Sequence, residues 1–406
     1  MKPNTPGFIG SNLRTARKLR GKTATALAEE LGLTKAAISN YETGKQTPGP
    51  EIAEKICELL DFQMYFFMKK RGHDKRKLGP RFYRSMSAAT KIAREKAEAY
   101  FEVLLDLSDI IEAFLELPIV NFPDLNPPSD PNLISDEYIE EAAVKVREFW
   151  GLGDGPISNT LWLFENNGAI VIRRPLGAET LDAFSLWVNG RPCMVLGSEK
   201  SSAARSRFDA GHELGHLILH KNVPDICIRN TDYFKIIENQ AHRFSSAFQF
   251  PQTSFVKEVS HCSLETFRLL KRRWKLSIAM MIKRCQDLEL VNERKAVYLW
   301  KAYASNGWRT REPFDDELEI EQPYLLSESV QLIIKEGILS RSSILDELGL
   351  YNHDVEDCAG LPLNFLNPRI DEIPMLSTRR SPTERSLVGE QAAKVLEFTR
   401  SEKLRK

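Results

Sequence analysis

His212-Glu213-Leu214-Gly215-His216 sets two imidazoles and a carboxylate within five consecutive residues. Positions four apart share one helix face, so His212 and His216 can reach a single metal ion. Imidazole and carboxylate donors suit zinc, the expected cofactor. Glu213, one residue past the first ligand, would face the water that the metal activates. It fits the role of general base, later passing its proton to a leaving amine. Phe208, Ala210, Gly211, Leu214, Gly215, Leu217, Ile218 and Leu219 make the surrounding helix largely buried. Imidazoles there are costly without partners, whether those partners are a metal or hydrogen bonds in a core helix.

A catalytic zinc needs a third protein ligand and one open position. Apolar spacing reads 238–250 as a second helix, ended near Pro251. Its Glu238 lies far enough beyond His216 for a loop and a return, and His242, one turn further on, competes with it. His220 extends the first histidine row by a turn and suits a supporting role, because a third ligand on one helix is displaced along its axis. Cys193 could reach a metal as a thiolate, against the plainer reading of a buried, inert thiol.

The elements ahead of this centre begin with four short helices, about 8–20, 23–31, 35–42 and 50–60. Thr23 and Thr34 suit N-caps and Gly32 a left-handed stop. Two short helices around a glycine turn form a helix-turn-helix, whose second helix can enter the major groove. Lys35, Ser39 and Asn40 would project from that helix toward base edges, with Arg14, Lys18 and Lys45 on phosphates. Residues 1–90 carry 17 Lys and Arg against 8 Asp and Glu, on a chain of net charge zero. A basic head on an acidic body points to a polyanionic partner, here a double-stranded DNA operator.

Leu27-Ala28-Glu29-Glu30-Leu31-Gly32-Leu33-Thr34 and Ile38-Ser39-Asn40-Tyr41-Glu42-Thr43-Gly44 resemble the XRE-type, phage-repressor-like helix-turn-helix family. Arg207-Phe208, Ala210, the His212–His220 run and Glu238-x-x-Ala241-x-x-Phe244 resemble the ImmA/IrrE family of metallopeptidases. The lead-in Ala142-Ala143-x-x-Val146-Arg147-x-x-Trp150-Gly151 and the strands around Asp182-Ala183-Phe184-Ser185-Leu186-Trp187 extend that similarity over about 135–290. The resemblance implies zinc held by His212, His216 and Glu238, with Glu213 as base. It also implies a repressor-type protein as substrate, in a stress, phage or mobile-element response. This chain carries His242 where the family usually has Asn, and Gln240 at a common Glu position.

At 406 residues and 42% hydrophobic, the chain has material for two or three domains. The expected fold is α+β and mostly helical. A helix-turn-helix head at 1–66 leads to a basic linker and long helix at 67–134 (the helix at about 86–116). A zincin-like peptidase domain with a small sheet from about 160–200 follows at 135–292, then a helical C-terminal region at 293–406. A proline-rich stretch, 121–131, reads as extended connection. Residues 264–290 suit a helical cap on the peptidase, in preference to a second helix-turn-helix. Helices are expected at about 327–337 and 341–348, and the charged 376–406 segment is expected to fray. The basic run 69–80 reads as a solvated linker, accessible to cleavage.

No early apolar run precedes a small-residue cleavage site, and no stretch reaches the ~18 uncharged apolar residues of a membrane span. Six scattered cysteines fit reduced thiols in the cytoplasm. The reading is a DNA-binding regulator, expected to dimerise, with a zinc endopeptidase acting on itself or on a repressor-type partner. Two alternatives stand beside it. One is a non-catalytic, antitoxin-like regulator using the zincin fold as scaffold or sensor, which would not need Glu213. The other is a general peptidase with the head as an interaction module, which the repressor signature disfavours.

Overall fold

A computed structural model describes residues 4–71, 76–80, 91–176, 183–199 and 202–367. The first helices are α1 (Gly10–Leu19), α2 (Ala24–Glu30), α3 (Lys35–Glu42), α4 (Pro50–Leu60) and α5 (Met64–Met68). Thr23 Oγ1 accepts from Ala26 N at 3.0 Å and Thr34 Oγ1 from Ala37 N at 3.2 Å, so both caps lie where the sequence puts them. The long helix is α6 (Lys91–Glu112); the part expected at 86–90 falls outside the described residues.

Next come α7 (Asp136–Phe149), capped by Ser135, and α8 (Thr160–Asn166), capped by Asn159. The sheet has β1 (Ile170–Arg174), β2 (Ala183–Val188) and β3 (Arg191–Gly197) in the order β1-β3-β2. β1 runs parallel to β3, with Ile172 opposite Val195, and β2 antiparallel to it, with Ser185 opposite Met194. Alternate residues therefore face opposite layers. Ile170, Ile172, Phe184, Leu186, Val188 and Val195 pack with α6, whereas Val171, Met194 and Leu196 pack with the HExxH helix.

That helix is α9 (Ala203–Leu219). It is followed by α10 (Asp225–Arg229), α11 (Thr231–Gln249), α12 (Gln252–Glu258), α13 (Leu264–Trp274), α14 (Ile278–Asp287) and α15 (Glu293–Ser305). The last described helices are α16 (Leu325–Lys335), α17 (Arg341–Leu348) and α18 (Asn352–Ala359); the 376–406 segment lies outside the described residues. α12 to α15 share a core around Phe250, Phe267, Trp274 and Met281. Residues of α16 to α18 join the cluster that holds the head, α6 and the outer sheet face. Among the described residues, no helix is long and apolar enough to cross a membrane.

The basic run is only partly described, since 72–75 fall outside the described residues. Several of its described residues are held against the protein, unlike a solvated linker, while Lys70 and Lys77 are exposed. Lys69 pairs with Glu347 at 2.8 Å and Arg71 with Asp106 at 2.8 Å, and Leu78 bridges to Val188 on β2.

Candidate metal centre and nucleic-acid surface

α9 lies against α11 closely enough that a Cβ on Gly215 would sit 3.1 Å from Ala241 Cα and 3.3 Å from Phe244 Cβ. Small residues at this crossing bring the two helices' polar groups together. His212 and His216 meet with their Nε2 atoms 3.0 Å apart. Glu238 reaches in from α11, its carboxylate oxygens 3.4 Å from each Nε2. All three side chains are buried. Sequence spacing places Glu238 at a helix start; it sits two turns inside α11, because Asn230 caps the helix earlier, through Asp232 N.

Burial raises the Glu238 carboxyl, but the imidazoles of His212 and His216 beside it hold it well below the usual carboxylate range. Two imidazole nitrogens and an anionic carboxylate converging in a buried site form a donor set that fits zinc. Nitrogens bound at about 2.0–2.1 Å around a tetrahedral ion stand roughly 3.3 Å apart, close to the spacing seen. His212, Glu213 and His216 offer ligand atoms within 4.8 Å of one another.

A hydrogen-bonded chain sets the tautomer of His216. Gln240 Nε2 donates to the carbonyls of Pro131 at 2.7 Å and Ile134 at 2.9 Å, so its Oε1 faces His220. His220 Nε2 lies 3.0 Å from that oxygen and must donate, leaving its Nδ1 to accept. His216 Nδ1 lies 3.1 Å from His220 Nδ1 and therefore carries the proton, which turns the Nε2 lone pair of His216 to the centre. Burial pushes His220 well below its ordinary pKa, as a neutral relay requires. His212 Nδ1 is buried with no hydrogen-bond partner among the described residues. The histidine row marks His220 for a supporting role, whereas nothing nearby marks Gln240 as its partner; pairing an amide with a histidine across two helices leaves no local signature.

Glu213 is fully enclosed. Its Oε2 accepts from Ser185 Oγ of β2 at 2.6 Å, and that hydroxyl also lies 3.2 Å from Glu213 O. Burial pushes the Glu213 carboxyl up to about 8, against the lowering pull of His212 and Ser185. Burial thus favours the protonated carboxyl, and a cation held beside it would draw that value back down toward the base form. Strand alternation in 183–188 puts Ser185 on the face toward α9, a signal the sequence did contain. His242 is half-buried, its ring 4.6 Å from that of His212 and stacked on Phe208 at 5.7 Å. With His242, Phe208 lines a cavity of about 630 Å³ between α11 and α14, with Arg243 and Lys283 at its wall. Cys193 points to the far face of the sheet, away from α9, its thiol pushed up to about 12 by burial.

In the head, Lys35 and Ser39 on α3 and Lys45 after it are exposed, and Asn40 is half-buried. Buried Arg17 and exposed Arg14 both meet Glu42, at 2.5 and 3.4 Å, which fixes α1 against α3. Lys18 turns instead to Glu98 of α6, at 3.3 Å, and is half-buried there.

Residues 13–67 match the helix-turn-helix family, and residues 164–286 match the peptidase family described as IrrE N-terminal-like domain. A curated relative, the uncharacterized HTH-type transcriptional regulator YqaE of Bacillus subtilis (strain 168), is 28% identical over 68 residues. That alignment covers 17% of this chain and 59% of the relative's own length. The chain thus joins a helix-turn-helix DNA-binding segment of the XRE type to an IrrE-like peptidase-family domain.

Proposed function

We propose that this chain is a DNA-binding transcriptional regulator whose central domain is a zinc-dependent endopeptidase. Its substrate is itself or a repressor-type partner protein. The observation that carries the reading is the convergence of His212, His216 and Glu238 beside a base, Glu213, held by Ser185. The three ligand side chains would hold zinc, with one position open to substrate. Held there, zinc would supply Lewis-acid polarisation and lower the pKa of a water toward ~7. Glu213 then takes the proton from the attacking water and returns it to the leaving nitrogen. Ser185 keeps its carboxylate aimed, and the buried walls exclude bulk water.

On the DNA side, Lys35, Ser39 and Asn40 face base edges while Arg14 and Lys45 meet phosphates. Lys18 would have to leave Glu98 to do so. The same reading gives a cytoplasmic homodimer in a stress, phage or mobile-element response. It divides the chain at 1–66, 67–134, 135–292 and 293–406.

The test compares wild type with Glu213→Gln for metal content and for cleavage, alone and with repressor-like proteins. One zinc in both, with cleavage abolished in the Gln variant, is the expected result. Absence of zinc from both would sink the peptidase reading and leave the alternative, a regulator using the fold as scaffold.

A further inference from the structure

Among the described strands β2 is an outer one, and at its Trp187–Val188 end the outward backbone is met by the chain's own residues 76–80. Gly79 N donates to Trp187 O at 2.7 Å and Asn189 N to Lys77 O at 2.9 Å. Lys77 N donates to Asn189 Oδ1 at 2.9 Å. The pairing is antiparallel, with Leu78 opposite Val188. Two residues along the same edge from Trp187, roughly 7 Å away by strand rise, stands Ser185, whose hydroxyl holds Glu213. A peptide lying on this edge in this register therefore runs toward the base.

The occupant is held chiefly by its backbone and by Arg76. Leu78 is 41% exposed, whereas the buried Arg76 side chain pairs with Asp106 at 3.2 Å and with Asp109. The seat also has a size rule. A Cβ on Gly79 would sit 3.1 Å from Trp187 Cβ and 3.4 Å from Trp187 N and O, so the residue opposite Trp187 must be glycine or force a shift.

We infer that the outer edge of β2 is a docking seat for an extended peptide with a small residue opposite Trp187, and that residues 76–80 fill it in cis as an internal competitor. Added strands bind by main-chain bonds and take specificity from such pockets. A tethered strand competes at an effective concentration in the millimolar range for short flexible linkers, so a peptide in trans must displace it. The seat's role in delivering substrate rests on the peptidase reading; its existence does not.

The experiment uses full-length Glu213→Gln, so that no cleavage is required, and a fluorescent peptide of sequence Arg-Lys-Leu-Gly-Pro, matching residues 76–80. Anisotropy is compared between this protein and the same chain carrying Gly79→Pro, which removes the amide that Trp187 accepts. The expected result is binding on the order of tenfold tighter to the Gly79→Pro chain, lost when the peptide's glycine becomes valine. Equal affinity for both chains, no binding to the Pro chain, or tolerance of valine would overturn the inference. Should Gly79→Pro misfold, amide exchange on the parent chain decides. Saturating peptide must deprotect Gly79 while Asn189 stays protected, and continued protection of Gly79 with peptide bound overturns the inference. A protein that binds the peptide but never cuts any loses only the peptidase reading; one that cuts but fails these tests loses only the seat.

Discussion

The Gln240–His220–His216 chain spends three buried polar groups on the orientation of one imidazole. Such outer partners of metal ligands raise ligand basicity and fix ring pose, and their loss typically costs 10–100-fold in metal affinity. His220→Phe and Gln240→Leu are each expected to lower zinc affinity by about that factor in a competitive chelator titration. Imidazole nitrogen shifts in His220→Phe should show His216 as a mixture of tautomers, where wild type shows Nδ1–H alone. An unchanged single tautomer would mean that packing, and not the relay, sets the ring. The head allows a parallel test between residues. Lys45, proposed as a phosphate contact, is exposed, whereas Lys18 is tied to Glu98 at 3.3 Å. Lys45→Ala should reduce the salt slope of operator binding by about one, and Lys18→Ala should leave it unchanged.

At the scale of elements, the α9–α11 crossing assembles the centre, and Gly215 sets its closeness. Gly215→Leu places new atoms into Ala241 and Phe244, at distances that already leave a Cβ crowded. Overpacking of this kind costs about 1–3 kcal/mol. It also moves Glu238 away from the imidazoles, so loss of zinc should exceed loss of melting temperature. A second element-level contact is titratable. Glu165 of α8 receives Tyr324 N at 3.0 Å and Leu325 N at 3.1 Å at the start of α16. Burial pushes its carboxyl up to about 8, against those two amides. The folded pKa thus lies above the unfolded one, so the folded chain binds the extra proton. Stability should fall as pH rises from roughly 4.5 to 8, by about 1.4 kcal/mol per pH unit within that window. Denaturant midpoints of Glu165→Gln minus wild type, measured across the window, isolate this group. A flat difference would refute the shift.

What the sequence made legible at this scale follows the range of the forces involved. Caps and amphipathic spacing are local, so α2, α3 and the HExxH helix stand where Thr23, Thr34 and the histidine spacing put them, and α4 where the 50–60 pattern does. Helix starts set by a neighbouring turn were less visible, as Asn230 shows by opening α11 two turns ahead of Glu238. Gln240 and the strand at 76–80 act through partners far along the chain, and residue types carry no record of such pairings.

Across the whole molecule, the head and the C-terminal helices are fused where local pattern suggested only succession. Leu13, Leu60 and Phe66 of the head share a core with α6, the outer sheet face and Leu325, Ile333 and Val355. Arg20 clamps the joint. Its Nη1 and Nη2 each reach an oxygen of Asp354 at 2.7 Å, its Nε reaches Leu60 O at 2.7 Å, and its Cζ lies 4.4 Å over the Phe62 ring. A fully buried pair broken on one side costs roughly 3–5 kcal/mol; with the Arg20 side chain 18% exposed the cost here is nearer ~2 kcal/mol. A shared core predicts that head and sheet unfold in one calorimetric transition in wild type. Asp354→Ala removes the carboxylate that pairs with Arg20 across the joint, and should lower that transition or split off the head as an earlier one. DNA binding by the variant should survive at low temperature, since α3 is untouched. A separate head transition already present in wild type would show that the common core does not couple the parts.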